Sequence, residues 1–488
     1  MPHFNNAGKR IEQEECKGRD TANSIRRIGM LDTIIKNGVV VNSDGSSEVD
    51  IGIKGGEIVQ IGRAEYFSEA KNVIDAKGME VYPGMIDSHV HINFEIGEFA
   101  TLDTFKQASI AAAYGGTTSI VEFAVPYKNE TPIDAVERRI AEAKGNTFID
   151  YAFHACFTEN NTNDIHQVKE LVQLGIPTIK MFTVYDDTVR INKRAIYQIL
   201  KELKKHNGLA LFHAEDNDLI SSNIHNFISN GNVTPLDHAK SRPSISEAIE
   251  VASLLKLIEE TETPSLFVHM STSKVRELLN TYRQKNNLSI YTEACTHYLT
   301  LDDEVYQGED GNLFICSPPI RSRTEQEGLW SMINDGLIDI VTSDHSCFNT
   351  QQKDKYKDYF PGAPNGLPGI ETRGIVLYSE GVQTGRISRE QFAAITSENV
   401  SKIMGMFPKK GRIAIGSDAD ITIINPNETY QISAENLHMS TDYTPFEGKI
   451  ITGKVAHTFV RGHHLINNGE LSHEEFHGTF IKRFQPRL

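Results

Sequence analysis

The sequence predicts an α/β fold, a TIM-like (β/α)8 barrel that carries a small β-sandwich domain built from both the N- and C-terminal segments. Across residues 82–408, short apolar runs alternate with stretches of helix-forming composition. Runs of β-branched residues broken by turn residues lie on both sides of that block. Strands that alternate with helices are typical of a parallel sheet with right-handed crossovers, and eight repeats over about 320 residues indicate a closed barrel.

Length and charge narrow the class of protein. A chain of 488 residues exceeds the size at which one hydrophobic core stops growing, which predicts a large domain with a smaller satellite. The formal net charge of −16 would repel phosphate backbones, so we expect a small-molecule partner and no nucleic acid. No apolar run approaches the roughly 20 residues that span a bilayer, so no membrane partner is expected.

The N-terminus and the cysteines suggest a compartment. Residues 1–29 are polar and charged and lack the apolar segment of a secretory signal, so we expect a disordered extension there. The five cysteines are too few and too scattered for a disulfide framework and include no Cys-x-x-Cys pair. We interpret them as reduced thiols, which predicts a cytoplasmic protein.

The sandwich is expected from residues 30–81 and 409–465, with residues 466–488 as a C-terminal tail. Turn pairs such as Asn37-Gly38 separate β-branched runs in the first segment, a pattern typical of antiparallel hairpins. The second segment shows the same pattern of β-branched runs separated by turn residues, so both segments are expected to contribute to one sandwich.

The barrel is expected from residues 82–408. Its strands are predicted at residues 86–92, 118–125, 151–157, 178–182, 209–214, 265–271, 289–294 and 339–344. Helices are predicted between them, for example at residues 134–144, 192–206 and 246–260. A doubly wound open sheet is the alternative, and it is disfavoured because no Gly-x-Gly-x-x-Gly follows the first strand.

Polar residues gather at the predicted strand ends. His89 and His91 close the first strand and point to the same face, because side chains alternate along a strand. Alone, such a pair is as compatible with ordinary polar residues as with a metal site. Further candidates lie at the ends of later strands, where barrel enzymes carry their catalytic groups, and together they predict a metal centre. These candidates are Lys180, His213, His269 and Asp344.

Lys180 is the least expected member of this set. A lysine between Ile179 and Met181 in a predicted buried strand loses hydration unless it is paired, neutralised or modified. A neutral amine can add carbon dioxide and form a carbamate, whose two oxygens can bridge two cations. An ion pair with Asp344 or Asp87 is an alternative that the sequence leaves open.

In combination, the motifs resemble those of the amidohydrolase superfamily and, within it, of the dihydropyrimidinase and hydantoinase family of cyclic amide hydrolases. The resemblance runs from about residue 31 to residue 462. Its motifs are Gly84-x-x-Asp87-x-His89-x-His91, Ile179-Lys180-Met181-Phe182 followed by Tyr185, Phe212-His213-Ala214-Glu215, His238-Ala239-x-Ser241-Arg242-Pro243, Glu293-x-Cys295-x-His297-Tyr298-Leu299, Ser317-Pro318-Pro319-Ile320-Arg321, Thr342-Ser343-Asp344-His345, Pro364-Asn365-Gly366-Leu367-Pro368-Gly369-Ile370-Glu371 and Asp442-Tyr443-Thr444-Pro445-Phe446-Glu447-Gly448.

The resemblance implies a site with two divalent metal ions per subunit, most typically zinc, with manganese or cobalt as substitutes. The buried ion would be held by His89, His91 and Asp344. The more exposed ion would be held by His213 and His269. Lys180, modified by carbon dioxide to N6-carboxylysine, would bridge both ions. The resemblance also implies a homotetramer.

The resemblance further implies hydrolysis of a dihydropyrimidine or a 5-substituted hydantoin to the N-carbamoyl amino acid. A hydroxide activated by both metals would attack the ring carbonyl. Asp344 would act as general acid and base, and Tyr185 would stabilise the oxyanion. Ser317 and Asn365 would hold the imide part of the substrate through backbone groups.

Alternative functions stay open. Dihydroorotases carry an arginine two residues after the second histidine, where this chain has Asn93, and allantoinases often carry asparagine there. A non-catalytic, dihydropyrimidinase-like scaffold would lack several of the six metal ligands. Residues 92–99 and 183–187, expected at the mouth of the site, mix apolar residues with four acids. We therefore expect a preference for neutral or apolar ring substituents over anionic ones.

Overall fold

The computed structural model describes residues 29–186, 188–285, 287–472 and 475–485. The predicted N-terminal extension therefore lies, except for Gly29, outside the described residues. The N-terminal strands are β1 (Leu31–Lys36), β2 (Val39–Asn42), β3 (Gly45–Glu48), β4 (Asp50–Lys54), β5 (Glu57–Gly62), β6 (Ala70–Asp75) and β7 (Glu80–Pro83). The central strands are β8 (Met85–His91), β9 (Glu95–Ile96), β10 (Phe99–Ala100), β11 (Thr117–Ala124), β12 (Asp150–Phe157), β13 (Thr178–Phe182), β14 (Leu209–His213), β15 (Ser265–Phe267), β16 (Ile290–Cys295), β17 (Ile340–Thr342) and β18 (His345–Ser346). The C-terminal strands are β19 (Ile421–Gln431), β20 (Ile450–Val460), β21 (His463–Asn467) and β22 (Glu470–Leu471).

The helices cover the outside of the central strands. They are α1 (Phe105–Tyr114), α2 (Pro132–Ala143), α3 (Val168–Leu174), α4 (Lys193–His206), α5 (Asn217–Ser229), α6 (Pro235–Ser241), α7 (Ser244–Thr261), α8 (Arg276–Arg283), α9 (Thr296–Thr300), α10 (Arg323–Asn334), α11 (Thr350–Asp354), α12 (Arg373–Leu377), α13 (Arg389–Ala393) and α14 (Asn399–Ile403). Helix α4 begins where the Asn192 side chain accepts a hydrogen bond from Ala195 N, and it buries an apolar stripe that includes Ile199 and Leu203. Among the described helices, none has the length and apolar character needed to cross a membrane.

The central strands form a parallel sheet that closes into a barrel. Its order is β17-β16-β15-β14-β13-β12-β11-β8-β18. Each strand of the barrel wall is called a stave below. β17 and β18 are two halves of one stave, which is interrupted at Ser343 and Asp344. The first half pairs with β16, and the second half pairs with β8 through His345 and Val90. Eight staves therefore complete the ring, which confirms the predicted (β/α)8 barrel.

Two staves end two or more residues before the predicted strands, and the other staves agree to within one residue at each end. The sixth ends at Phe267, not at residue 271, and the eighth is broken after Thr342. The backbone turns left-handed at His269 (φ 40°) and at Asp344 (φ 49°), a conformation that no strand can continue through. Both breaks fall on predicted site residues, so they lift these side chains to the rim of the barrel.

Two further sheets form the sandwich, with strand orders β5-β4-β1-β6 and β22-β21-β20-β19-β7-β2-β3. The second sheet joins both ends of the chain, because β7 pairs with β19 through Pro83 and Ile421. Apolar side chains between the sheets, among them Ile51, Ile53 and Phe459, are buried in one cluster. This confirms one sandwich built from both segments.

The pairing within the sandwich was only partly predicted. β2–β3 and β4–β5 are antiparallel hairpins, as expected. β1 and β6 pair in parallel, and so do β2 and β7, because the chain crosses between the two sheets before it returns.

The C-terminal segment, residues 475–485, lies across the barrel end opposite the strand termini that carry the candidate site. Tyr151 N, at the start of β12, donates to Thr479 O at 3.0 Å, and Ile481 N donates to Tyr151 O at 2.8 Å. The buried Arg483 guanidinium donates to Thr178 Oγ1 at 2.7 Å. The segment thus closes the base of the barrel.

Candidate metal centre

The two histidines of β8 meet Asp344 at the rim. Nε2 of His89 lies 3.1 Å from Asp344 Oδ1, and Nε2 of His91 lies 3.4 Å from the same oxygen. The side chains are close enough together to hold one metal ion. Burial alone would raise the pKa of Asp344, but His89 and His91 hold it well below its usual range. Asp344 is therefore a carboxylate ion.

Two more histidines lie beside this group. His213, at the end of β14, and His269, after β15, have ring centroids 4.4 Å apart. The rings of His269 and His89 are 5.4 Å apart. The structure thus brings together four histidines from three different staves.

Lys180, on β13, is fully buried, and its Nζ has no hydrogen-bond partner among the described residues. The amine lies 4.8 Å from the ring centroid of Phe123 and 4.9 Å from that of Phe182. Burial lowers the pKa of Lys180 to about 8. The ion pair with Asp344 or Asp87 that the sequence left open is not formed: Asp87 Oδ2 lies 3.5 Å from Arg373 Nε, and Asp344 lies against His89 and His91.

Glu293, on β16, is a site residue that was not predicted from the sequence. Its Oε1 accepts hydrogen bonds from His89 Nδ1 at 2.6 Å and from His269 N at 3.0 Å. The carboxylate therefore directs His89 Nε2 towards Asp344, as outer carboxylates do for metal-binding histidines. The sequence does carry a signal for Glu293, because a charged side chain in a strand predicted to be buried is unexpected, as it is for Lys180.

Glu215 and Arg242 belong to motifs of the family resemblance, but no role in the site was predicted for them. Glu215 Oε2 accepts from His213 Nε2 at 2.7 Å and from Arg242 Nη1 at 2.6 Å. The Arg242 guanidinium carbon lies 5.2 Å from the centroid of the Tyr185 ring. This buried pair therefore links a candidate metal ligand to a candidate catalytic tyrosine.

A cavity of about 590 Å³ opens onto this centre. Its lining includes the nine residues predicted to bind metal, act in catalysis or bind substrate: His89, His91, Lys180, Tyr185, His213, His269, Ser317, Asp344 and Asn365. Ser317 Oγ donates to Asn365 Oδ1 at 3.1 Å. Burial raises the pKa of Tyr185 to about 12, so its hydroxyl keeps its proton at neutral pH. A cavity of this size suits a small organic ligand.

The donor set fits divalent cations. His91 Nδ1, His269 Nδ1 and Lys180 Nζ are buried without a hydrogen-bond partner in the described part of the chain. Burying such atoms unpaired costs free energy, which a bound ligand offsets. Burial alone would lower the pKa of His89, but Asp344 and Glu293 raise it to about 9, so the local charge favours a cation. Imidazole and carboxylate ligands suit zinc.

Family models match most of the chain. Residues 81–465 match the model described as the amidohydrolase family. Residues 6–81 match the model of the N-terminal domain of the urease alpha-subunit.

Individual relatives match over nearly their whole length. The chain is 35% identical over 454 residues to a D-hydantoinase from Geobacillus stearothermophilus, covering 92% of this chain and 96% of the relative. It is 35% identical to a D-phenylhydantoinase from Escherichia coli O81 (strain ED1a), covering 92% and 98%. Among solved structures, the dihydropyrimidinase from Brevibacillus agri NCHU1002 matches with a TM-score of 0.90 and 35% identity, over 93% and 99% of the two chains.

Proposed function

The chain belongs to the amidohydrolase family, and from that membership we propose that it hydrolyses the cyclic amide bond of a dihydropyrimidine or a 5-substituted hydantoin. The product is the N-carbamoyl amino acid. The convergence of four histidines, Lys180 and Asp344 on one cavity carries this proposal. The relatives, named as hydantoinases and a dihydropyrimidinase, support the substrate class.

Two divalent cations are part of the proposal. His89, His91 and Asp344 would hold one ion, and His213 and His269 would hold the other. When bound, the pair would supply a water of lowered pKa and polarise the amide carbonyl. Zinc suits these ligands best, and manganese or cobalt could replace it.

Lys180 would contribute as N6-carboxylysine, bridging the two ions. In that reaction the Nζ lone pair forms a bond to the carbon of carbon dioxide, and one amine proton is released. The buried Nζ without a partner among the described residues supports this assignment, because a carbamate would have the cations as partners. The side chain is fully buried, with the amine 4.8 Å and 4.9 Å from the ring centroids of Phe123 and Phe182.

Asp344 and Tyr185 would carry the proton and charge movements. Asp344, held between His89 and His91, would take a proton from the attacking water and deliver it to the leaving ring nitrogen. The protonated Tyr185 hydroxyl would donate to the carbonyl oxygen as negative charge develops there. Backbone groups at Ser317 and Asn365 would orient the imide.

The residues at the cavity mouth indicate which substituents on the substrate ring the site would accept. Phe94, Phe99 and Tyr127 give it an apolar wall. Two of the four acids at the mouth are already paired, Glu98 with Lys355 and Asp186 with Arg190, so repulsion of an anionic substituent is weaker than their number indicates. Asp187 lies outside the described residues. Preference for apolar substituents therefore follows mainly from the aromatic wall.

A substrate panel on the zinc-loaded protein tests the proposal, with dihydrouracil, 5-phenylhydantoin, dihydroorotate and allantoin compared by kcat/KM. We expect highest turnover of dihydrouracil or 5-phenylhydantoin. Highest turnover of dihydroorotate or allantoin would favour the rival enzymes.

Asn93, which kept the allantoinase alternative open, is exposed and is absent from the described lining of the cavity.

Metal content separates the enzyme from the scaffold alternative. Two metal equivalents per chain support the enzyme, and none supports a scaffold. The homotetramer and the cytoplasmic location stay predictions, and sedimentation velocity tests the first of them.

A further inference from the structure

Lys353 is a buried lysine that the proposed chemistry does not use. It lies on α11, and its side chain has no exposed surface. Its Nζ donates to Ile315 O at 2.8 Å and to Pro364 O at 2.9 Å. Among the described acids, none forms an ion pair with it. Charging a buried amine without a counter-ion is costly, and burial lowers the pKa of Lys353 to about 7, so its two carbonyl partners need an explanation.

Both carbonyls belong to segments that reach the cavity. Ile315 lies two residues before Ser317, and Pro364 directly precedes Asn365. The segments also touch directly, because Gly366 N donates to Ile315 O at 3.0 Å and Ser317 Oγ donates to Asn365 Oδ1. Lys353 therefore joins the two segments from behind the cavity wall.

Helix α11 holds this lysine firmly. Asn349 caps the helix by accepting from Gln352 N at 2.9 Å. Thr350 N donates to Asp442 Oδ1 at 2.8 Å, and Asp354 Oδ1 accepts from Asn312 Nδ2 at 2.8 Å. These contacts tie both ends of the helix to other parts of the fold, so the Lys353 amine is a fixed point for the two segments.

The surroundings favour this bridging role over a catalytic one. The Lys353 amine lies 5.7 Å from the ring centroid of Phe348, and it does not line the cavity described above. His238 Nε2 also donates to Cys316 O at 2.9 Å, so a second buried side chain holds the segment before Ser317. The amine thus acts through the backbone that it holds.

We propose that Lys353 is a positioning residue, which sets the spacing between the Ser317 and Asn365 segments so that their backbone groups fit the imide of the cyclic amide. This inference rests on the proposed function, because that function assigns the imide to Ser317 and Asn365. Loss of the amine should weaken substrate binding more than it slows the chemical steps, since metal ligands and Asp344 are untouched.

The test compares Lys353→Met with the unmodified protein, both loaded with zinc. Methionine keeps an apolar stem of similar length but removes the donors. We expect KM for the best substrate to rise about tenfold or more, while kcat stays within about threefold and metal content stays at two equivalents. Lys353→Arg, which restores donors, should recover part of the increase in KM. Lys357→Met is the matched control, because Lys357 is exposed on the same stretch.

Hydrogen–deuterium exchange provides a readout that needs no activity. Lys353→Met should speed exchange in peptides covering residues 315–320 and 363–367 and leave the barrel strands unchanged. If KM and exchange in these peptides are both unchanged, or if the variant loses metal and kcat instead, the inference is overturned. If the unmodified protein hydrolyses no substrate but exchange still changes as expected, the bridge stands and the proposed function fails.

Discussion

Lys180 constrains the chemistry more than any other single residue. It is buried among aromatic rings, lacks a hydrogen-bond partner among the described residues and has a pKa lowered to about 8 by burial. An amine in these surroundings is partly neutral near physiological pH, and only a neutral amine can add carbon dioxide. Its neighbours are therefore compatible with the proposed modification.

Replacing Lys180 with arginine tests this role. A guanidinium stays protonated and cannot form the carbamate, so Lys180→Arg should lose both metal equivalents and all measurable activity. Elemental analysis after dialysis measures the metals. Lys201→Arg, at an exposed position on α4, is the control and should retain both. A full metal complement in Lys180→Arg would remove the carbamate from the mechanism.

Backbone strain also concentrates at site residues. Tyr185 (φ 75°), His269 and Asp344 all have a left-handed backbone, which non-glycine residues seldom adopt. Such strain persists where surrounding contacts over-determine the conformation, and it is common at functional sites. Sequence patterns do not reveal it, because Asp344 and His269 lie in apolar runs that otherwise continue as strands.

At the scale of elements, the β9–β10 hairpin forms one wall of the cavity mouth. Glu98, in its turn, accepts from Tyr356 Oη at 2.6 Å and pairs with Lys355. Gln352 Nε2 donates to Ala100 O at 2.9 Å. Hydrogen bonds from Lys355 and Tyr356 lower the pKa of Glu98, so its carboxylate is charged at neutral pH.

We expect Glu98→Gln to loosen the hairpin and to raise KM several-fold for 5-phenylhydantoin, whose ring would contact that wall. KM for dihydrouracil, which has no substituent, should change less than about twofold, since its binding depends on the imide contacts. Steady-state kinetics on both substrates measures this. Glu95→Gln is the control, because it removes a carboxylate from the same hairpin but leaves Glu98 and its partners Lys355 and Tyr356 in place. Equal changes for both substrates would contradict a role of the hairpin in substituent binding.

The strands of the barrel could be predicted because each is buried on both faces and reads as a short apolar run. The exact ends of β15 and β17 could not, since they depend on Glu293 and on the contacts around Asp344 from distant parts of the chain. For the same reason, the roles of Glu293, Arg242 and Lys353 emerge only once the staves are assembled. Six of the nine candidate residues were identifiable because they recur at predicted strand ends, whereas Tyr185, Ser317 and Asn365 were implied only by the family resemblance.

At the scale of the whole molecule, the C-terminal segment closes the base of the barrel. Gly478 lies so close to the residue before β12 that an added Cβ would be 2.0 Å from Ile149 O. Thr479 N donates to Asp150 Oδ1 at 2.8 Å, and Asp150 also pairs with Lys410. The segment therefore binds a charged cluster at the barrel base as well as backbone groups.

Gly478→Ala should force this segment away from the barrel and lower the free energy of unfolding by about 2–3 kcal/mol, as overpacked sites do. Urea denaturation followed by circular dichroism measures the change. Gly308→Ala is the control, because a Cβ there meets no atom within 4 Å. Equal stability of both variants would show that docking of the segment contributes little.

The division of the eighth stave has a consequence for the order of assembly. Ser343 Oγ donates to His89 O at 3.3 Å, although the two residues lie 254 positions apart. Contacts between such distant positions form late, because the intervening chain must first be ordered. During synthesis, a chain that has emerged only as far as the seventh stave carries every proposed ligand except Asp344. The proposed buried ion would therefore be held only once the ring is complete, because it needs Asp344 as a ligand.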